Sequence, residues 1–130
     1  MQIPVTAATA ALCALLIVGL GLRVSVLRLR HRIALGDGGN VPLLRAIRVH
    51  ANTVEYVPMF VLLSLCYELY AGANVFLVLL DAGFVIGRLS FAWGLSVASI
   101  HPARRIGALL SYLTTALLAL LLLIAVVTAF

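Results

Sequence analysis

The sequence predicts an all-α integral membrane protein, a bundle of four transmembrane helices, and three observations carry that prediction. Of its 130 residues, 65% are hydrophobic and 10% charged, against about half and about a quarter in ordinary soluble domains. The mean hydropathy is +1.22, a surplus that so short a chain cannot bury in a core of its own. The apolar residues also fall into four runs, each near the roughly 20 helical residues needed to cross a hydrocarbon core. A soluble globular domain is excluded by this balance. So is disorder, which requires low hydrophobicity and high charge.

The first helix is expected at about residues 5–29, uncharged as far as Arg23. The preceding Met-Gln-Ile-Pro has no basic region, and the run is long for the apolar part of a signal peptide, so it reads as a lasting first helix. Arg28-Leu-Arg-His-Arg32 ends it, and Gly36-Asp-Gly-Gly-Asn40 is turn chemistry. The second helix is expected at about 43–70: Pro42 suits a start and Gly72 an end. Pro58 lies inside it, where it should kink the helix and free a carbonyl one turn earlier. The third runs at about 75–97, interrupted by Asp81 and Arg88, and the fourth at about 104–129, after a loop holding His101, Pro102, Arg104 and Arg105. Together they make one membrane domain over residues 1–130. The loops after helices one and three hold most of the arginines and the 71–74 turn none, so the positive-inside rule puts both termini on the non-cytoplasmic side. Cys13 and Cys66 lie in apolar stretches and read as small packing residues.

The formal net charge is +5, from nine cationic residues, all arginine, against Asp37, Asp81, Glu55 and Glu68. A basic balance can mark a nucleic-acid binder. Here, however, the arginines sit at the ends of apolar runs or within them, where lipid headgroups or an anionic ligand are the natural partners, and no nucleic acid is expected. Helices one and four are almost free of charge; helices two and three carry it. Ionisable groups at membrane depth are costly and turn toward the bundle interior or a wet cavity, which points to helices two and three as the site.

At 100° per residue Arg45, Arg48, Asn52 and Glu55 fall within about an 80° arc, with His50 nearly opposite. By the helical rise, Glu55 lies roughly 15 Å in from Arg45 and Arg88 roughly 13 Å back from Val97. The two are expected to pair, either as an ion pair locking a hairpin or through a shared ligand. Arg28, Arg45, Arg48, Arg88 and Arg104 would gather near one side with Glu55 as the nearby acid. Such a surplus calls for a bound organic anion, with Asn52 and Glu55 free to receive its amide or ammonium group. Arg23, Arg30, Arg32 and Arg105 read as partners of lipid phosphate. Gly83-Phe-Val-Ile-Gly87 favours close helix packing. Trp93, Tyr67 and Tyr70 read as interfacial anchors, Tyr112 as an anchor or a catalytic hydroxyl, and His31 and His101 as surface loop residues. No metal site and no serine or cysteine nucleophile with a base is evident.

The stretch Arg45-Ala-Ile-Arg-Val-His-Ala-Asn-Thr-Val-Glu55-Tyr-Val-Pro58 resembles the MAPEG family, membrane-associated proteins in eicosanoid and glutathione metabolism. Arg48, His50, Asn52, Glu55 and Pro58 match its R-x-H-x-N-x-x-E pattern and following proline. Gly87-Arg88, Arg104 with Gly107, and the Gly-Asp-Gly-Gly-Asn run, which looks like the bacterial branch, also fit, so the likeness covers essentially the whole chain. The resemblance implies a homotrimer in a bacterial inner membrane, binding glutathione between adjacent subunits near the cytoplasmic side. It also implies transfer, peroxidase or isomerase chemistry on a lipophilic second substrate. Arg48, Asn52 and Glu55 match positions that hold glutathione, Arg88 and Arg104 match positions that contact it, and Arg28 matches an arginine that reaches a neighbouring subunit's site. Arg45 is expected to join the binding set. For catalysis the expected thiolate-stabilising group is Arg104 or, failing that, Arg88. Where the family commonly has a histidine three residues after Gly87-Arg88, this sequence has Phe91; near Leu95 the eicosanoid-forming branches have a tyrosine. These departures bear on catalysis more than on binding, so a non-catalytic binding or regulatory protein is the alternative. A small multidrug-type transporter ranks last, for want of an acid in helix one.

Overall fold

In the computed structural model, which describes residues 2–128, four helices form: α1 (Pro4–His31), α2 (Val41–Ala71), α3 (Val75–Val97) and α4 (Pro102–Val127). All four are long and apolar enough to cross a membrane. The expected limits for α3 are met, and the other three helices begin one or two residues early. Residue 129, the expected end of the fourth, lies outside the described residues.

Each boundary has a local cause. Three helices start with proline in the first turn, where the missing N–H costs nothing. Asn40 and Asn74 cap α2 and α3, their side chains accepting from Leu43 N–H at 2.9 Å and Leu77 N–H at 3.1 Å. The cap of α1 comes from another helix: Glu68 on α2 accepts from Val5 N–H at 3.1 Å and Thr6 N–H at 2.8 Å, placing a carboxylate at the positive end of the α1 dipole. Pro58 is accommodated inside an unbroken α2.

α2 and α3 are the inner helices. Each packs against the other and both touch α1 and α4, while α1 and α4 do not meet. That arrangement explains why the ionisable residues of the spans lie on α2 and α3, since only those helices offer a protein interior on several sides. The closest approach is between α3 and α4. A Cβ on Gly94 would strike the backbone at Ala103 and Arg104, and one on Gly107 would strike the backbone of Gly87 and Phe91. Gly83 faces Thr114 and Gly87 faces Ser111, so the Gly83–Gly87 pair packs closely as its spacing predicts.

Along the bundle, two polar layers flank an aromatic one. In the middle, Phe60 and Phe84 stack at 3.8 Å between ring centroids, packed with Cys13, Val57 and Leu118. Toward the 71–74 turn lies a layer of hydroxyls and carboxylates from Thr6, Thr9, Ser64, Glu68 and Asp81. Toward the arginine-rich end lies the layer containing Arg88. Tyr67, expected at the interface, is instead buried in the core and accepts a hydrogen bond from Asn74 at 3.2 Å, whereas Tyr70 and Trp93 are exposed.

Candidate functional site

A helix of 31 residues is roughly 46 Å long, well beyond a hydrocarbon core of about 30 Å. Because α2 and α3 share the short 72–74 turn, the excess of α2 projects at the opposite end, and with it Arg45 and Arg48. There α2 meets the loop between α3 and α4: Arg45 Nη1 donates to the Val97 carbonyl at 3.0 Å. His101 ends that loop as the cap of α4, its Nδ1 accepting from Ala103 N–H at 3.1 Å while its ring sits edge-on to Trp93. Arg104, in the first turn of α4, donates to the Ser99 carbonyl.

These elements enclose a cleft of about 510 Å³ whose wall includes Arg45, Arg48, Asn52, His101, Arg104 and Arg105. Phe91 and Leu95 are buried apolar members of its lining, and the half-exposed Tyr112 lines it as well. The volume is that of a small-molecule site. Four guanidinium groups face it and no carboxylate does among the described lining residues. Arg45 Nε is buried with no hydrogen-bond partner. A buried donor without an acceptor is costly, and cations of one sign crowded together repel unless an anion joins them. The cleft carries the charge that would pair with an acidic molecule.

Arg88 stands behind it. Almost fully buried, it donates from Nε to Ser111 Oγ at 2.9 Å and from Nη1 to Asn52 Oδ1 at 3.0 Å. The rings of Tyr56, Phe84 and Phe91 lie 5.0–5.8 Å from its guanidinium carbon, close enough for cation–π attraction. Ser111 passes the bond on to the Gly107 carbonyl at 2.7 Å. With its oxygen held by Arg88, the Asn52 amide has a fixed orientation at the cleft wall.

Residues 6–124 match the MAPEG family. The chain belongs to it. Over 92 residues, 69% of this chain and 69% of the relative, it is 41% identical to the inner membrane protein YecN of Escherichia coli strain K12. The match to the protein of that name from Escherichia coli O6:H1 strain CFT073 has the same values.

Within this MAPEG protein the predicted residues divide. Arg45, Arg48, Asn52 and Arg104 line one cleft. Arg88 touches it only through Asn52. The expected direct pairing of Glu55 with Arg88 does not form: Glu55 is exposed on the outer side of α2, and Asn52 and Ser111 take the guanidinium instead. Arg28 is also elsewhere, donating to the carbonyls of Ile33, Ala34 and Gly36 and so tying down the loop that follows α1.

Other assignments change too. Arg23, read as a partner of lipid phosphate, is also bonded to Ser96 across α1 and α3. His101 is a helix cap in the cleft wall, Arg105 joins the same wall, and Tyr112 lines it within hydrogen-bonding distance of Tyr56, 3.4 Å between hydroxyls. A signal for His101 was present, since the residue preceding a helix-starting proline is a cap position. His50 packs against Gly21 of α1, away from the cleft.

Proposed function

We propose that this MAPEG protein is a multi-pass protein of a bacterial inner membrane that binds glutathione in the arginine-lined cleft and uses its thiolate against lipophilic electrophiles, as a transferase or peroxidase. One observation carries the reading: a cleft lined, among the described residues, by four arginines and no carboxylate, with a buried, unpartnered Arg45 Nε. Glutathione is an acidic tripeptide with two carboxylates, amide groups and one thiol. Arginine forks suit the carboxylates, and the Asn52 amide suits a peptide group. The inner membrane placement draws on the name of the Escherichia coli relatives and on the four spanning helices.

The chemistry needs the thiol ionised at neutral pH. A neighbouring guanidinium favours the thiolate. Arg104 takes this role because its bond to Ser99 occupies one nitrogen of its fork while the side chain faces the cleft. Arg88, bonded through Nε to Ser111 and through Nη1 to Asn52, stands behind the cleft wall, positions and does not react. The electrophile, partitioning into the bilayer, would meet the thiolate against the apolar part of the lining, Phe91, Leu95 and Ala108. The subunit leaves Arg48, Glu55, Met59 and Leu62 exposed along one side of α2. A homotrimer would cover such a stripe and bring Glu55, and Arg28 of a neighbour, to the ligand.

Phe91 and Leu95 line the cleft, Phe91 where the family commonly has a histidine and Leu95 near where the eicosanoid-forming branches have a tyrosine, and that favours a second reading, binding or regulation without turnover. Purified protein supplied with glutathione and a chromogenic aromatic halide separates the two. Transferase function predicts saturable turnover that Arg104→Ala lowers by roughly a hundredfold or more, the scale of a lost charge-stabilising group, with assembly unchanged. Saturable glutathione binding without turnover establishes the second reading. Equal turnover by Arg104→Ala removes Arg104 from the mechanism.

A further inference from the structure

The polar layer at the other end of the bundle contains a buried acid that the cleft does not use. Asp81, 2% exposed, accepts at Oδ2 from Thr9 Oγ1 at 2.7 Å and from Ser64 Oγ at 2.8 Å. Ser64 and Thr6 are also bonded at 2.8 Å, and Thr6 N–H donates to Glu68. Because the Ser64 hydrogen goes to Asp81, Thr6 must supply its own to Ser64. Every hydroxyl hydrogen of the chain therefore runs toward Asp81 Oδ2.

Asp81 Oδ1 receives none: it is buried with no hydrogen-bond partner. Glu68 is satisfied by the start of α1, but among the described residues Asp81 has neither a helix terminus nor a cation. The arginine of its own helix, Arg88, lies two turns away, roughly 10 Å along the axis, and is committed to Asn52 and Ser111. A carboxyl group in an apolar surrounding either takes up a proton or, if it stays ionised, demands a counter-charge or a donor. Glu68, reached through Ser64 and Thr6, makes the local field more negative still.

Asp81 also lines a groove of about 360 Å³ between α1 and α3. Thr9 and Asp81 are its polar members; Val5, Ala8, Leu12, Val78, Val85 and Ile86 are among the rest. Its apolar walls favour a hydrocarbon body, and the acid at its side favours a positive head. We propose that this groove is a second ligand site, distinct from the arginine cleft, that takes a lipophilic primary amine from the bilayer, its ammonium on Asp81 and its alkyl chain between α1 and α3. An anionic lipid would be repelled, and a neutral hydroxyl could donate to Oδ1 but would leave the charge unbalanced, so charge complementarity selects the cation.

The test is saturable binding of radiolabelled dodecylamine to the full chain in phosphatidylcholine nanodiscs, with empty nanodiscs as background. Wild-type protein is expected to bind it at least tenfold more tightly than dodecanol. Asp81→Asn, which keeps the shape and removes the charge, is expected to weaken binding at least tenfold. Ala82→Phe, which fills the groove and leaves the hydroxyl chain in place, is expected to do the same, so the result does not hinge on one variant's folding. Both variants must retain the size-exclusion profile of the wild type. Absence of saturable binding to wild-type protein overturns the proposal, as does dodecanol binding equal to the amine or unchanged binding by Asp81→Asn. Failure of wild type to bind, with loss of assembly in both variants, assigns the groove to a second copy of the chain and equally overturns it.

Discussion

Arg88 is the residue on which the arrangement of the cleft turns, although it does not face it. Its guanidinium is held by Ser111 and three aromatic faces, and it fixes the Asn52 amide. Arg88→Met keeps much of the apolar volume and removes that bond. Losing one hydrogen bond to a charged group, worth about 1.5 kcal/mol, is expected to raise the glutathione dissociation constant about tenfold, measured by titration calorimetry, while turnover at saturation changes less. An unchanged dissociation constant would show that Asn52 needs no support. Part of this was legible beforehand. On the 80° arc of α2, Arg45 and Asn52 occupy the margin turned to α3, while Arg48 and Glu55 occupy the margin turned outward. The arc itself could be drawn from spacing; which margin faces inward depends on how α3 and α4 approach. For the same reason the Arg23–Ser96 bond, between residues 73 apart in the chain, had no sequence signal.

Among the elements, the α3–α4 pair is the rigid wall of the cleft. Ser90 Oγ donates to the Ala103 carbonyl at 3.0 Å, and Gly87, Gly94 and Gly107 bring the two backbones together. This contact sets where Arg104 stands relative to Phe91 and Leu95. A methyl group on Gly107 would press on backbone atoms that cannot yield as a side chain does. Gly107→Ala should therefore cost about 1–3 kcal/mol by overpacking, seen as a lowered Tm of the detergent-solubilised protein, and should reduce glutathione binding with it. Wild-type stability and binding in that variant would contradict the account of the wall. The spacing of Gly83 and Gly87 announced a close contact. The partners Gly94 and Gly107 emerge only once the helices cross, because a lone glycine has no periodicity to read. The cap of α1 by Glu68 was hidden in the same way: its donor and acceptor lie more than sixty residues apart.

At the scale of the whole molecule, the four spans and their order were written in the hydropathy, since lipid exposure leaves long charge-free runs on the outer helices and confines buried charge to α2 and α3. Orientation is a separate matter, resting on the arginine content of the loops. It predicts that the loop after α1 is cytoplasmic. A cysteine at the exposed Leu35, introduced as Leu35→Cys with Cys13 and Cys66 replaced by alanine, should escape a membrane-impermeant maleimide in intact cells and react after lysis. Labelling in intact cells would invert the topology. The same global view separates two ends of unlike chemistry. One is an arginine cleft without a carboxylate. The other is a carboxylate and hydroxyl layer without an arginine, and the stacked Phe60 and Phe84 lie between them.

The central claim is that the arginine cleft is an anion site filled by glutathione. Equilibrium dialysis of labelled glutathione against the purified protein, beside Arg48→Ala and Arg104→Ala, tests it most directly. Saturable binding to the wild-type protein is expected, weakened at least tenfold in each variant. Absence of saturable binding to the wild type, or equal binding by all three proteins, would contradict it.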